Sequence, residues 1–147
     1  MSRTKQSNPS VPSPQRRSVH GVLVVFTAVA MLSGCAGDRD RSKRGPMGAA
    51  AARGADLVIV TDDNPRSEAP ERIRAAVLAG AREVAAERVH EVPDRAEAIA
   101  RAIRLAGPAG TVLVAGKGHE DYQDIGGRRR PFSDIELVQQ VLRGEQA

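Results

Sequence analysis

The sequence predicts an α/β domain with a mainly parallel sheet flanked by helices, and three observations carry that expectation. Short apolar runs rich in β-branched residues alternate with helix-prone segments along the chain. The two clearest runs, Leu57-Val58-Ile59-Val60-Thr61 and Thr111-Val112-Leu113-Val114-Ala115, are apolar throughout, the pattern of strands covered on both faces. Capping boxes open two of the intervening helices, at Asp94/Glu97 and Ser133/Glu136. A length of 147 residues suits one domain of ordinary size.

Residues 1–20 are rich in Ser, Pro and basic side chains, with too little apolar surface to offset the entropy of ordering, and are expected to be a disordered basic segment. Residues 21–33 contain an apolar run from Gly21 to Leu32, too short to span a bilayer as a helix. It reads either as a buried first strand or as the apolar part of a secretory signal, because Leu32-Ser33-Gly34-Cys35 looks like the site at which bacterial lipoproteins are cleaved and acylated. The folded domain is expected over residues 34–147. Pro46 to Gly54 is Ala-rich and helix-prone, and Leu57 to Thr61 is a buried-type strand. Pro70 to Gly80 predicts a helix with Pro in its first turn, Ile73, Val77 and Leu78 at helical spacing, and a terminal glycine. Val89 to Val92 is a short strand. The helix opened by Asp94 carries Ile99, Ile103 and Leu105 and stops at Gly107-Pro108. Thr111 to Ala115 is the next buried strand, Gly126-Gly127 turns a hairpin, and Ser133 caps a last helix that runs to about Leu142.

Composition excludes several functions. The formal charge of +4 comes from Arg3, Lys5, Arg16 and Arg17, since residues 38–147 hold 18 basic and 18 acidic side chains. That neutral body and only three aromatics, Phe26, Tyr122 and Phe132, argue against nucleic-acid binding. The single cysteine, Cys35, excludes an internal disulfide and a thiolate zinc site, and no other metal-ligand spacing occurs. No serine or cysteine nucleophile stands in a recognisable elbow.

In parallel sheets ligands bind beyond the carboxyl ends of the strands. Three charged loops are expected at that edge: Gly34-Cys35-Ala36-Gly37-Asp38-Arg39-Asp40, Asp62-Asp63-Asn64-Pro65-Arg66, and Gly116-Lys117-Gly118-His119-Glu120. Arg66 and Arg39 are forks suited to a carboxylate or phosphate, while Asp63 and Glu120 accept from an ammonium group. Together they match a zwitterion. Asn64 adds an amide, and Pro65 fixes the turn that presents Arg66. Gly116-Lys117-Gly118 reads as an anion loop, although its spacing is not that of a Walker A motif. His119 is a candidate acid or base with a hydrogen-bonding role as the blander reading. Arg128-Arg129-Arg130 reads as a solvated hairpin edge.

At these loops the sequence is similar to the C-terminal domain of the Mur ligases, in particular the branch that adds meso-diaminopimelate. The matching stretches are Gly34 to Glu68, with its DDNPR motif, Asp94 to Ile103, and Thr111 to Gln123, with GKGHE. The resemblance implies a Rossmann-like sheet. It also implies an ATP- and Mg2+-dependent ligation in peptidoglycan biosynthesis, in which a carboxylate is activated as an acyl phosphate and attacked by the incoming amine. By resemblance Arg39, Asp63, Asn64, Arg66, Gly116 and Glu120 stand where the family contacts diaminopimelate. The arginine of DNPR implies diaminopimelate rather than lysine, because its fork pairs with the extra carboxylate. Ala36 departs from the family's usual glycine.

The family's ATPase and nucleotide-substrate domains have no counterpart in residues 1–33, so the chain is expected to be inactive alone, to bind neither ATP nor Mg2+, and to contribute no catalytic residue. Its expected partners are the small amino acid and, on another chain, the missing ligase domains. The resemblance places the first strand at Val29 to Gly34, or at Val22 to Phe26 with Thr27 to Ser33 inserted. Either keeps the domain in the cytoplasm. An exported lipoprotein anchored at Cys35, binding diaminopimelate-containing wall fragments, is the alternative.

Overall fold

A computed structural model of the chain describes residues 22–27, 41–117 and 120–144. Strand β1 (Val22–Thr27) leads, through residues outside that description, to α1 (Arg44–Gly54), preceded by a single 3-10 turn. Then come β2 (Leu57–Thr61), α2 (Pro70–Ala85), β3 (Val89–Glu91), α3 (Arg95–Ala106) and β4 (Thr111–Ala115). A hairpin of β5 (Tyr122–Ile125) and β6 (Arg128–Pro131) precedes α4 (Asp134–Leu142). The four-stranded sheet has the order β3-β2-β1-β4 with all neighbours parallel, and the hairpin forms a separate antiparallel pair. This is the expected α/β, Rossmann-like arrangement.

Of the two positions expected for the first strand, the structure selects the earlier one. Val22–Thr27 lies at the centre of the sheet, with Leu23 opposite both Leu57 of β2 and Val112 of β4. Val29 to Gly34 lies outside the described residues, as do Cys35 and Arg39. Among the described residues no helix is long and apolar enough to cross a membrane.

The uniform apolarity of β2 has its explanation in the packing. Val58 and Val60 face Ala52, Ala55, Val77, Leu78, Ala81 and Val89 on one side of the sheet. Ile59 faces Ala98, Ile99, Ala102 and Leu137 on the other, with Leu57, Val112 and Val114 packed against that cluster. Both faces of β2 are therefore covered, as a parallel strand requires. β4, expected to be buried as well, is instead an edge strand with Leu113 53% exposed, because among the described residues no further strand or helix packs over that face.

Helix ends follow the capping chemistry. Asp94 Oδ1 accepts from the Glu97 N–H at 2.9 Å, and Ser133 Oγ accepts from the Glu136 N–H at 3.3 Å. Gly107 ends α3 at φ 63, and Gly126 and Gly127 turn the hairpin at φ 59 and 76, conformations that glycine adopts without a Cβ penalty. Helix α1 begins at Arg44 rather than Pro46, which costs little because the first-turn N–H groups have no intrahelical acceptor.

Contrary to the sequence expectation, Gly80 does not end its helix, since α2 continues to Ala85. A Cβ at Gly80 would stand 2.0 Å from the carbonyl oxygen of Gly45, and one at Gly48 would stand 2.1 Å from that of Val77. Both glycines let α1 and α2 touch through their backbones, a reason for glycine that outweighs its poor helix propensity.

Candidate functional site

Parallel strands share one carboxyl edge, and the register places Thr27, Thr61 and Ala115 near it. The chain runs outward from β1 to β2 and β3, then crosses by way of α3 to β4 on the other side of β1. That reversal of direction is where open α/β sheets form a ligand crevice.

The loop after β2 begins with two aspartates that take opposite courses. Asp62 accepts from Arg74 Nη1 at 2.5 Å, and the same guanidinium gives its Nε to Glu91 at 2.7 Å, so α2 is fastened to the ends of β2 and β3. Burial pushes the Asp62 carboxyl above its usual range, against the opposing pull of Arg74. Arg74 itself is held above its usual value by these two carboxylates, although burial opposes them.

Asp63 turns inward and is only 4% exposed. Its Oδ1 lies 3.1 Å from Lys117 Nζ, yet neither carboxylate oxygen accepts an aligned hydrogen bond among the described residues. Lys117 donates instead to the backbone carbonyl of Tyr122. The lysine expected to face an anion is thus buried, with its ammonium 5.9 Å from the Tyr122 ring centre and 5.7 Å from that of Phe132. Its surroundings turn it into the core of the site.

Asn64 is the junction. Its Nδ2 donates to Glu120 Oε2 at 2.6 Å, and its Oδ1 accepts from the Asp124 N–H at 2.8 Å. One buried amide therefore joins the loop after β2 to the loop after β4 and to the hairpin. Arg66 stands beside it, exposed, at φ 55, a left-handed backbone that costs a non-glycine residue about 1 kcal/mol or more. The hairpin holds it there, because the Arg66 N–H donates to the Asp124 carbonyl at 3.3 Å and the Gly126 N–H donates to the Arg66 carbonyl at 3.1 Å.

Of the residues expected at the site, Asp63, Asn64, Arg66 and Glu120 are brought to one cluster, and Gly116 follows β4 at φ 115. Arg39, Gly118 and His119 lie outside the described residues. Asp124 was not foreseen. Its Oδ1 is buried and accepts no hydrogen bond among the described residues, and its Oδ2 lies 3.7 Å from Arg129 Nε. Arg129 also stacks on Tyr122 at 4.5 Å, and all four residues of β6 are exposed, as expected for a solvated edge. No sequence signal marks Asp124, because its contact with Asn64 spans 60 positions.

The cluster presents a fork donor, unfilled carboxylate acceptors and an amide within one loop junction, the set needed to orient an ion that carries both charges. Among the described residues no group of three metal-ligating side chains occurs.

Residues 21–118 match the family described as "Mur ligase, glutamate ligase domain". A relative from Corynebacterium efficiens named UDP-N-acetylmuramoyl-L-alanyl-D-glutamate--2,6-diaminopimelate ligase is 55% identical over 124 residues, 81% of this chain and 24% of the relative. A protein of the same name from Pseudomonas aeruginosa is 54% identical over 111 residues, covering 76% of this chain and 22% of the relative. A solved structure, also of a ligase of that name, superposes with a TM-score of 0.70 at 43% identity, over 84% of this chain and 24% of the other. The chain spans about a quarter of the length of these relatives. Coverage of the family's pattern from β1 to β4, together with identity above half, settles the affiliation: this chain belongs to the Mur ligase family.

Proposed function

We propose that the chain is the amino-acid-binding C-terminal domain of a ligase that adds meso-diaminopimelate to a UDP-N-acetylmuramoyl dipeptide in peptidoglycan biosynthesis. Mur ligases are ATP-dependent, and ATP with Mg2+ supplies the activation of the carboxylate in the complete reaction. The residues of this chain bind and orient the incoming amino acid. Arg66 takes its distal carboxylate, Asp63 and Glu120 take ammonium hydrogens, and Asn64 holds the loops in register. Arg39 is assigned to the same substrate by the family pattern. The observation that carries this reading is the pairing of an exposed, backbone-strained Arg66 with the buried carboxylate of Asp63, which accepts no hydrogen bond among the described residues, in one loop.

The domain limits proposed are a basic segment over residues 1–20, an apolar segment over 21–33 and the ligase C-terminal domain over 34–147, with β1 drawn from the apolar segment. Cleavage before Cys35 would remove β1, the strand that joins β2 to β4. We therefore place the domain in the cytoplasm, where ATP is available. Labelled palmitate appearing on Cys35 in cells would overturn that placement.

Binding is the direct test. Titration calorimetry of the full chain with meso-diaminopimelate is expected to give saturable binding, with L-lysine much weaker. Arg66→Ala is expected to lose about 2 kcal/mol, or roughly thirtyfold in affinity, through the missing charge-assisted bond. No saturable binding by the wild-type chain, or equal affinity in the variant, removes the reading.

A further inference from the structure

Lys117 is not among the residues assigned to the substrate. Its side chain is fully buried, and it sits at the meeting point of three segments. The ammonium lies 3.1 Å from Asp63 Oδ1, donates to the Tyr122 carbonyl, and lies within 6 Å of the Tyr122 and Phe132 ring centres. A buried lysine is costly to desolvate, so its charge needs compensation from close partners. Here the compensation is shared by the Tyr122 carbonyl, the two ring faces and one carboxylate oxygen at ion-pair distance and out of hydrogen-bond alignment, and Asp63 Oδ2, itself buried, is left without any bond among the described residues. Three fully engaged bonds would lock the pair as a structural fastener. This one stops short and leaves an acceptor over.

We propose that Lys117 is a positioning residue for the amino-acid site, which holds the Asp63 carboxylate with Oδ2 free to receive an ammonium group of the substrate. The inference rests on the proposed function, since it names the residue through which the site selects an amino acid over its deaminated analogue. Lys117 acts through Asp63 and touches no substrate atom. Asn64 ties the same two loops from the other side, by way of Glu120, so the carboxylates of Asp63 and Glu120 are each set by a buried nitrogen from the opposite loop.

The test compares two ligands. meso-Diaminopimelate and 2-aminopimelate share both carboxylates and differ by one ammonium group. Calorimetric titration of the full chain is expected to favour diaminopimelate. In Lys117→Met the preference is expected to fall by about fivefold or more, in addition to any loss of affinity common to both ligands. Lys117→Arg keeps a charge in an altered place and is expected to recover part of the preference.

A purely structural lysine weakens both ligands by one factor and leaves the preference unchanged, which overturns the proposal. Absence of any preference in the wild-type chain overturns it too, while leaving the proposed function standing. Absence of diaminopimelate binding removes both. Should Lys117→Met fail to fold, as judged by circular dichroism, Lys117→Arg decides: a narrowed preference supports the positioning role and an unchanged one ends it.

Discussion

Buried cations occur in two regions of this domain, and their surroundings differ. Around the helices the arginines are saturated. Arg95 gives Nε and Nη2 to the two oxygens of Asp134 at 2.7 and 2.5 Å and reaches the Ala115 carbonyl at 3.3 Å. Arg44 grips both oxygens of Glu68 at 2.8 Å, and Arg74 divides its fork between Asp62 and Glu91. At the loop junction, by contrast, Lys117 meets Asp63 without filling it, and a buried oxygen of Asp124 accepts no hydrogen bond among the described residues. Saturated pairs fasten α1, α2 and α3 to their neighbours. Unsaturated ones spend stability and leave bonding capacity for something that arrives later.

If that contrast is right, substitutions in the two regions should fail differently. The largest effect is expected at Arg95. Arg95→Ala strands the Asp134 carboxylate and should lower unfolding free energy by about 3–5 kcal/mol in urea titrations. A loss under about 1 kcal/mol would place Arg95 with the weak surface pairs instead. Next comes Arg66→Ala, for which the roughly thirtyfold loss of affinity should accompany less than about 0.5 kcal/mol of change in stability, the range of exposed sites. Should its melting temperature fall as far as that of Arg95→Ala, the distinction between the regions fails.

Asp124→Asn sharpens the comparison from the other side. It replaces an unfilled buried carboxylate with a neutral amide, and should raise stability by about 0.5–1 kcal/mol in urea titrations, whereas a loss would show the charge to be needed by Arg129.

The smallest effect expected is a pH dependence. Arg44 holds the Glu68 carboxyl below its usual value of 4.5, with Arg41 and Arg72 adding weaker pulls. A depressed folded-state value means stability that is present above the unfolded value and lost as pH falls through the folded one. Asp62 works in the opposite sense, because its raised value costs stability as pH climbs from 3.8 through the folded value. Glu68→Gln should therefore flatten the loss of melting temperature below pH 4.5, whereas Asp62→Asn should steepen it by removing the opposing contribution. Parallel curves for both variants would contradict these signs.

Local chemistry was legible in the sequence where one segment decided the outcome. Asp94, Ser133, Gly107 and the Gly126-Gly127 turn act on neighbours within a few residues, so their spacing was sufficient. β2 announced itself because burial on two faces leaves no polar positions, whereas β4, equally apolar, lies at the sheet edge with Leu113 exposed. The first strand did not, since a continuous apolar run from Gly21 to Leu32 contains no mark of which six residues pair. Gly80 failed for a related reason: a glycine that stops a helix and one that admits a neighbouring backbone look alike until the neighbour, 35 positions away, is placed.

Within the site, Asp63, Asn64, Arg66 and Glu120 were recognisable as charged residues in loops that follow strands. Their division of labour was not. Lys117 resembled an anion-binding lysine between glycines, and only the fold shows that its partner is Asp63, 54 positions earlier. Asp62 and Asp63 are indistinguishable in composition, and the turn after β2 sends one to Arg74 and the other to Lys117.

The backbone contact between α1 and α2 has a mechanical consequence. With no side chain between Gly45 and Gly80, or between Gly48 and Val77, the two helices have no compressible layer across which to slide. Arg44, at the first residue of α1, also clasps Glu68 at the foot of the DDNPR loop. Sliding α1 along α2 would drive backbone against backbone, and Arg44 ties the same helix pair to Glu68, two residues beyond Arg66.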